Sequence, residues 1–274
     1  MIALGLTRRN ATAERALASV RDVLRKGAKA LRLSSEPRWR MALRSGVAAT
    51  VEHDRLPLRR DFRSVIDVGA NRGQFALYAR VRFPEARIYS LEPLDEPRRR
   101  MQTLFQDDER VQVMAKAAGE TPGTATLHVS GRDHSSSLLT MAERQTQLYP
   151  ETAMVGDEDV EVDTLDAMFA KVDLPGPILL KLDVQGCELS ALKGAMALLT
   201  RVDTVLTEAS FVPFYEGQAL FDEVHACLTD AGFRLTGGAM SAETAGRWEQ
   251  GDFVYERPAV AAPQAVPRAA VAAA

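Results

Sequence analysis

Cysteine is nearly absent: the 274 residues contain two, Cys187 and Cys227. Both fall in segments with helical spacing, and neither has a partner at metal-ligand spacing. Buried thiols are therefore expected, rather than a disulfide framework or a thiolate metal site. Long apolar runs are also missing. None approaches the roughly 18 residues that cross a bilayer. Arg8 and Arg9 are followed by no apolar signal core, so a cytoplasmic protein is expected. No internal repeat is visible.

What is present, 46% hydrophobic and 26% charged residues, suits one globular domain with a substantial core. The net charge of −3 conceals a split: residues 1–60 carry 14 Lys and Arg against 5 Asp and Glu, the rest 20 against 32. An enzyme of nucleic acids would carry its basic surface around the active-site domain, so no nucleic-acid partner is expected. The composition reads as a basic helical appendage over residues 1–60, a catalytic domain over 61–256 and a disordered Ala/Pro-rich tail over 257–274. Within the appendage Ala13, Leu17, Val20, Leu24, Ala28 and Leu31 recur at helical spacing among Arg21, Arg25, Lys26 and Lys29. Such a helix packs on the main domain with its basic face in water, or attaches peripherally to an anionic inner-membrane surface through residues 13–32. It lacks the Trp and Phe that strengthen the second arrangement.

Further along, strand-like and helix-like segments alternate, the pattern of an α/β, Rossmann-like fold with helices on both faces of a sheet. The patterning predicts strands at 65–69, 86–91, 110–114, 124–129, 159–163, 177–182, 202–207, 232–237 and 252–256. It predicts helices near 73–82, 95–106, 164–171, 186–199 and 217–231. The run Ile178-Leu179-Leu180 is continuously apolar, as expected for a strand covered on both faces. Residues 131–158 show no clear period and read as a substrate-side loop.

The strongest local signal is Val65-Ile66-Asp67-Val68-Gly69-Ala70-Asn71-Arg72-Gly73-Gln74-Phe75, an apolar strand running into a Gly-containing turn that opens a helix. Glycine at 69 and 73 allows a tight bend and close approach to a ligand. A dinucleotide fingerprint would want Gly at 71 and a small residue at 74; Asn71 and Gln74 disfavour a pyrophosphate. A P-loop is disfavoured as well, because no Lys-Ser or Lys-Thr follows the turn. The next strand ends at Glu92-Pro93, 23 residues after Gly69, where an acid is placed to accept from both ribose hydroxyls. Turn and acid together suggest an adenosyl ligand without a pyrophosphate.

The chain resembles the FkbM family of methyltransferases, a class I group dependent on S-adenosylmethionine. The likeness covers residues 41–240 and rests on the Val65–Phe75 motif, Leu91-Glu92-Pro93, Thr164-Leu165-Asp166, Leu180–Glu188 and Glu208–Gln218. It implies a seven-stranded, mostly parallel class I methyltransferase sheet, and O-methylation of sugars in glycans or natural products. Asp67 and Gly69 match positions that hold the amino-acid part of the cofactor, and Glu92 matches the ribose ligand. Asn71, Gly73, Phe75 and Pro93 complete that side, and Lys116-Ala117 falls where class I enzymes contact adenine.

A sulfonium makes its methyl group electrophilic, so the protein has to align an acceptor hydroxyl and take its proton. Asp183 is the first candidate, contacting the acceptor or bracing the cofactor and the Val184–Gly186 turn. His134 is the second, since imidazole titrates in the right range. Asp183 and Glu208 end neighbouring strands where Mg²⁺ is possible, although Glu208 is better read as holding a loop or pairing with a cation. Lys181 and Glu188 are expected to stabilise the strand and helix flanking Asp183, and Tyr215 to line the acceptor pocket or join the core. The competing readings are an NAD-dependent oxidoreductase and a non-catalytic adenosyl-binding protein.

Overall fold

The computed structural model describes residues 26–132, 135–244 and 246–258. Its strands are β1 (Ser64–Val68), β2 (Arg87–Leu91), β3 (Val111–Met114), β4 (Ala117–Ala118), β5 (Gly123–Ser130), β6 (Met154–Asp163), β7 (Ile178–Leu182), β8 (Thr204–Ser210), β9 (Arg234–Thr244) and β10 (Arg247–Glu256). Seven of them form one sheet in the order β3-β2-β1-β7-β8-β10-β9. From β3 to β8 all neighbours are parallel. β10 alone runs antiparallel, to both β8 and β9. The chain builds outward from β1 to β3 and then returns to β7 on the other side of β1. Such a reversal opens a crevice at the carboxyl ends of β1 and β7.

Alternation along the central strands fixes the layers, because successive side chains point to opposite faces. Val65, Ile88, Leu179, Leu206 and Val254 join a cluster with Phe75, Tyr78 and Met101. These last three belong to helices α2 (Gln74–Arg82) and α3 (Asp95–Leu104). Ile66, Tyr89, Leu180, Val205 and Tyr255 join the opposite cluster with Leu165, Leu192, Leu198 and Leu228. That face is covered by α5 (Leu165–Phe169), α6 (Glu188–Lys193), α7 (Met196–Leu199) and α8 (Phe221–Asp230). Both faces of the sheet are thus buried, which is why β1 and β7 read as unbroken apolar runs.

Several sequence expectations are corrected. The predicted strands at 124–129 and 159–163 belong to a separate sheet in the order β4-β6-β5, over Leu94, Leu127 and Val160. The segment 131–158 is not simply a loop: it holds α4 (Glu143–Leu148), a 3-10 turn at Pro150–Thr152 and the first half of β6. The single helix expected over 186–199 is two. The Asp166 carboxylate accepts from the amides of Ala197 and Leu198 at 3.0 and 2.7 Å, capping α7 separately.

The described part of the N-terminal segment packs on the domain, one of the two arrangements expected of its helix. Residues 26–35 are helical, α1 spans Pro37–Arg44 and a 3-10 turn spans Val51–Arg55. Leu33, Trp39, Val51 and Leu58 are buried in the same cluster as Phe75, and Trp39 Nε1 donates to the Leu77 carbonyl at 3.1 Å. Ion pairs join these pieces: Lys29 meets Glu52 at 2.9 Å, and Asp54 meets both Arg32 and Arg82. Charge marked the segment as separate, whereas its few apolar residues pack it onto α2. The amphipathic pattern before residue 26 lies outside the described residues, as does the chain after Pro258. Arg257, expected in the tail, is anchored by donating to the carbonyls of Val202, Ala231 and Leu199.

Candidate cofactor and acceptor site

A cavity of about 470 Å³ lies at the carboxyl ends of β1, β2 and β7, within the usual range for small-molecule sites. One side is the turn after β1. Gly69 has φ +78°, and a Cβ there would overlap the Asp183 carbonyl oxygen, so only glycine lets the ends of β1 and β7 approach. Asn71 has φ 48°, a conformation asparagine tolerates. Its backbone N–H donates to Glu92 Oε2 at 2.7 Å, while Glu92 Oε1 accepts from the Leu94 backbone N–H at 2.9 Å. Glu92 therefore shapes the turn and also faces the cavity, beside Pro93 and Leu94. Lys116 and Ala117 line the far end, with the Lys116 ammonium tied to Glu161 and Asp163 at 2.8 Å each.

Two of the anticipated cofactor residues do not line the cavity. Gly73 has φ +87° and faces α3: a Cβ there would come within 2.9 Å of Met101 and Phe105. Its glycine is demanded by helix packing. Asp67 is fully buried beneath the turn, with its Oδ1 3.3 Å from Lys181 Nζ. Burial, against the pull of Lys181, leaves its pKa above the usual carboxylate range. Phe75 does line the cavity, and Lys181 Nζ sits 5.5 Å from its ring centre.

Lys181 is the electrostatic hub. Its ammonium lies 3.3 Å from both Asp67 and Asp183 and 3.5 Å from the Gly69 carbonyl. Burial disfavours that charge, but Asp183 and Asp67 outweigh it and raise the lysine pKa. Asp183 in turn is disfavoured by burial, yet Lys181 and the Gln185 amide hold its carboxyl below the usual range. Its side chain keeps 38% exposure, so the ionised group faces the cavity.

The wall beside Asp183 is built around Gln185, which has φ 53°. Its Nε2 donates to Asp183 Oδ1 at 2.8 Å and to Glu208 Oε2 at 3.0 Å. The Tyr215 hydroxyl lies 2.8 Å from Gln185 Oε1, and Ser137 Oγ donates to the Gln185 carbonyl at 2.7 Å. Tyr215 is thus core, acting through Gln185. Where Mg²⁺ was considered, the Gln185 amide bridges the two carboxylates. Among the described residues no group of three His, Cys, Asp or Glu is placed to hold a metal ion. Burial, then Asp183 and Asp252, push the Glu208 pKa well up. Glu188 braces the turn, accepting from the Val184 and Gly186 amides at 3.0 and 3.1 Å. His134 lies outside the described residues.

Sequence reasoning missed the remaining wall. Lys29, Ala48, Thr50, Glu52 and His53 line the cavity from the N-terminal segment. His53 is packed edge-on to Phe75 with ring centres 5.2 Å apart, and its Nε2 is 4.0 Å from Asp252. Burial and then Lys181 lower its pKa to about 4, leaving the ring neutral at pH 7. A short turn has no periodicity to announce it; the available signal was a histidine set among Val51, Glu52 and Asp54.

The methyltransferase FkbM domain matches residues 67–235, more than half of the chain. A methyltransferase of Sordaria araneosa, sdnD, is 27% identical over 198 residues, covering 63% of this chain and 74% of that protein. Among solved structures, the chain is similar to magnesium protoporphyrin IX methyltransferase from Synechocystis PCC 6803 (12% identity, 73% and 72% of the two chains, TM-score 0.42). It is also similar to the 1,6-didemethyltoxoflavin-N1-methyltransferase of Burkholderia thailandensis (12% identity, 88% and 86%, TM-score 0.42). With that match across the Gly69–Gly73 turn, Glu92 and Asp183, the chain belongs to the FkbM family of S-adenosylmethionine-dependent methyltransferases.

Proposed function

We propose that the protein methylates a hydroxyl oxygen of a sugar, as a glycan or lipid-linked precursor. The observation that carries this reading is Asp183, an ionised carboxylate facing the cavity beside the turn and flanked by Lys181 and Gln185. The cavity suits the cofactor chemically: an acid at the end of β2 for a ribose, a glycine turn at β1, and polar atoms without protein partners along the N-terminal wall. S-adenosylmethionine supplies an activated methyl group there. Glu92 would hold the ribose, with Pro93, Leu94, Lys116 and Ala117 around the adenine.

Asp183 accepts a hydrogen bond from the acceptor hydroxyl and fixes the oxygen's direction of approach. Its lowered pKa makes it a weak base, so its main contribution is orientation, and the proton moves only as the oxygen gains positive charge. Gln185, held by Tyr215 and Ser137, keeps the carboxylate in place. No helix among the described residues is long and apolar enough to cross a membrane. A cytoplasmic enzyme with a peripheral attachment through residues 13–32 fits a lipid-linked acceptor.

Labelled methyl transfer to extracted cell glycans and lipid-linked saccharides, read by mass spectrometry, tests the acceptor class; product confined to other small molecules would refute it. Asp183→Asn keeps the side chain's size and removes its charge. It should lower turnover on the order of 10²-fold, the scale of a lost alignment, while calorimetric affinity for S-adenosylhomocysteine persists. Near-normal turnover at saturating substrates would end the assignment and move attention to His134. A chelator run alongside checks the Mg²⁺ alternative: activity lost with it and restored by Mg²⁺ would favour a metal.

A further inference from the structure

The N-terminal wall of the cavity carries polar atoms that the protein itself does not engage. Thr50 Oγ1, His53 Nδ1 and Gln74 Oε1 are each buried without a hydrogen-bond partner, and all three residues line the cavity. His53 as a whole is only 6% exposed. Buried polar groups in native proteins are nearly always paired, so three in one wall point to a ligand that pairs them. The groups are neighbours. The Thr50 amide donates to the Gln74 carbonyl at 3.3 Å, and His53 packs against Phe75, the residue after Gln74.

Their chemistry is mixed: a hydroxyl that donates or accepts, a neutral imidazole with one N–H and one bare nitrogen, and an amide oxygen that accepts. They gather at the first turn of α2, whose unpaired amides favour an anion. A ligand end bearing both an ammonium and a carboxylate satisfies all of these at once. The sheet supplies the direction. Glu92 follows β2, the Gly69–Asn71 turn follows β1, and Asp183 follows β7, in the spatial order β2-β1-β7. A cofactor whose ribose sits at Glu92 and which runs across the β1 turn brings its far end to Thr50 and His53.

We infer that Thr50, His53 and Gln74 bind the amino-acid end of the cofactor. Thr50 and His53 lie outside the family-matched residues 67–235, so the N-terminal segment is part of the binding site as well as its cover. The inference rests on the reading of this cavity as the cofactor site, and two probes separate them. S-adenosylhomocysteine carries the amino acid; 5′-methylthioadenosine carries the adenosyl group and lacks it.

By calorimetry the unmodified protein should bind S-adenosylhomocysteine the more tightly. Thr50→Val removes the hydroxyl at nearly constant volume and should weaken S-adenosylhomocysteine about tenfold, the loss of one hydrogen bond, with 5′-methylthioadenosine unchanged. Gln74→Met should do the same, and serves if thermal unfolding shows Thr50→Val to be misfolded. Equal weakening of both probes, or no weakening in either folded variant, overturns the inference. Equal binding of the two probes by the unmodified protein overturns it and leaves the cofactor reading standing. Binding of neither probe overturns both.

Discussion

Glu188 shows how one buried side chain couples the site to pH. It is 3% exposed at the start of α6, accepts from the Val184 and Gly186 amides, and is pushed up to about 7 by burial. In the unfolded chain it ionises near its ordinary value of 4.5. Between those values the folded chain binds the extra proton, so this contribution to stability is full below about pH 4.5 and lost as pH rises to about 7. Glu188→Gln keeps the acceptor and cannot ionise. The stability of the unmodified protein relative to that variant should therefore fall across the window, by at most about 1.4 kcal/mol per pH unit, measured by denaturant unfolding at several pH values. A flat difference would show that Glu188 is ionised throughout. Part of the cavity wall was legible in the sequence, because Gly69, Asn71, Glu92 and Asp183 sit in contiguous motifs at strand ends. Gly73 packs against Met101 and Phe105 away from the cavity wall, and a glycine demanded by packing looks the same in sequence as one demanded by a ligand. Thr50 and His53 were invisible because they reach the site through tertiary packing alone.

At the scale of elements, the central strands and the helices after β1, β2 and β8 fall within a few residues of their predicted ranges. Their signal was strong for a physical reason: strands buried on both faces are continuously apolar, and turns rich in glycine bound them. Elements whose partners are distant were not legible. The β4-β6-β5 sheet depends on one parallel and one antiparallel pairing, and neither leaves a local trace. The N-terminal segment was classed by its charge, yet its place is set by Trp39, Val51 and the Asp54 ion pairs. A chain beginning at residue 26 should therefore fold and bind S-adenosylhomocysteine with unchanged affinity. One beginning at residue 61 loses a cavity wall and uncovers Phe75 and Tyr78, both buried beneath that segment. It should aggregate or lose binding, as size-exclusion chromatography and calorimetry would report. Full affinity in the shorter chain would show that the segment is dispensable.

For the whole molecule, the cavity is where distant parts of the chain meet: residues from Lys29 to Cys187 line it. A ligand that binds there only in the folded state stabilises the fold by mass action, about 2.7 kcal/mol at a hundredfold excess over Kd. S-adenosylhomocysteine at that excess should raise Tm by roughly 5–10 °C, whereas NAD at the same concentration should leave it unchanged in a thermal-shift measurement. A comparable shift with NAD would revive the oxidoreductase reading. The sheet carries a further consequence in its order of strands. β10, the last described strand in the chain, is not at an edge but inserts between β8 and β9, pairing with both. During synthesis β8 therefore leaves the ribosome with one side of its backbone unpaired, and it stays so until residues 247–256 emerge. Over that interval β8 presents a row of unpaired N–H and C=O groups, the kind of edge that can pair with another chain.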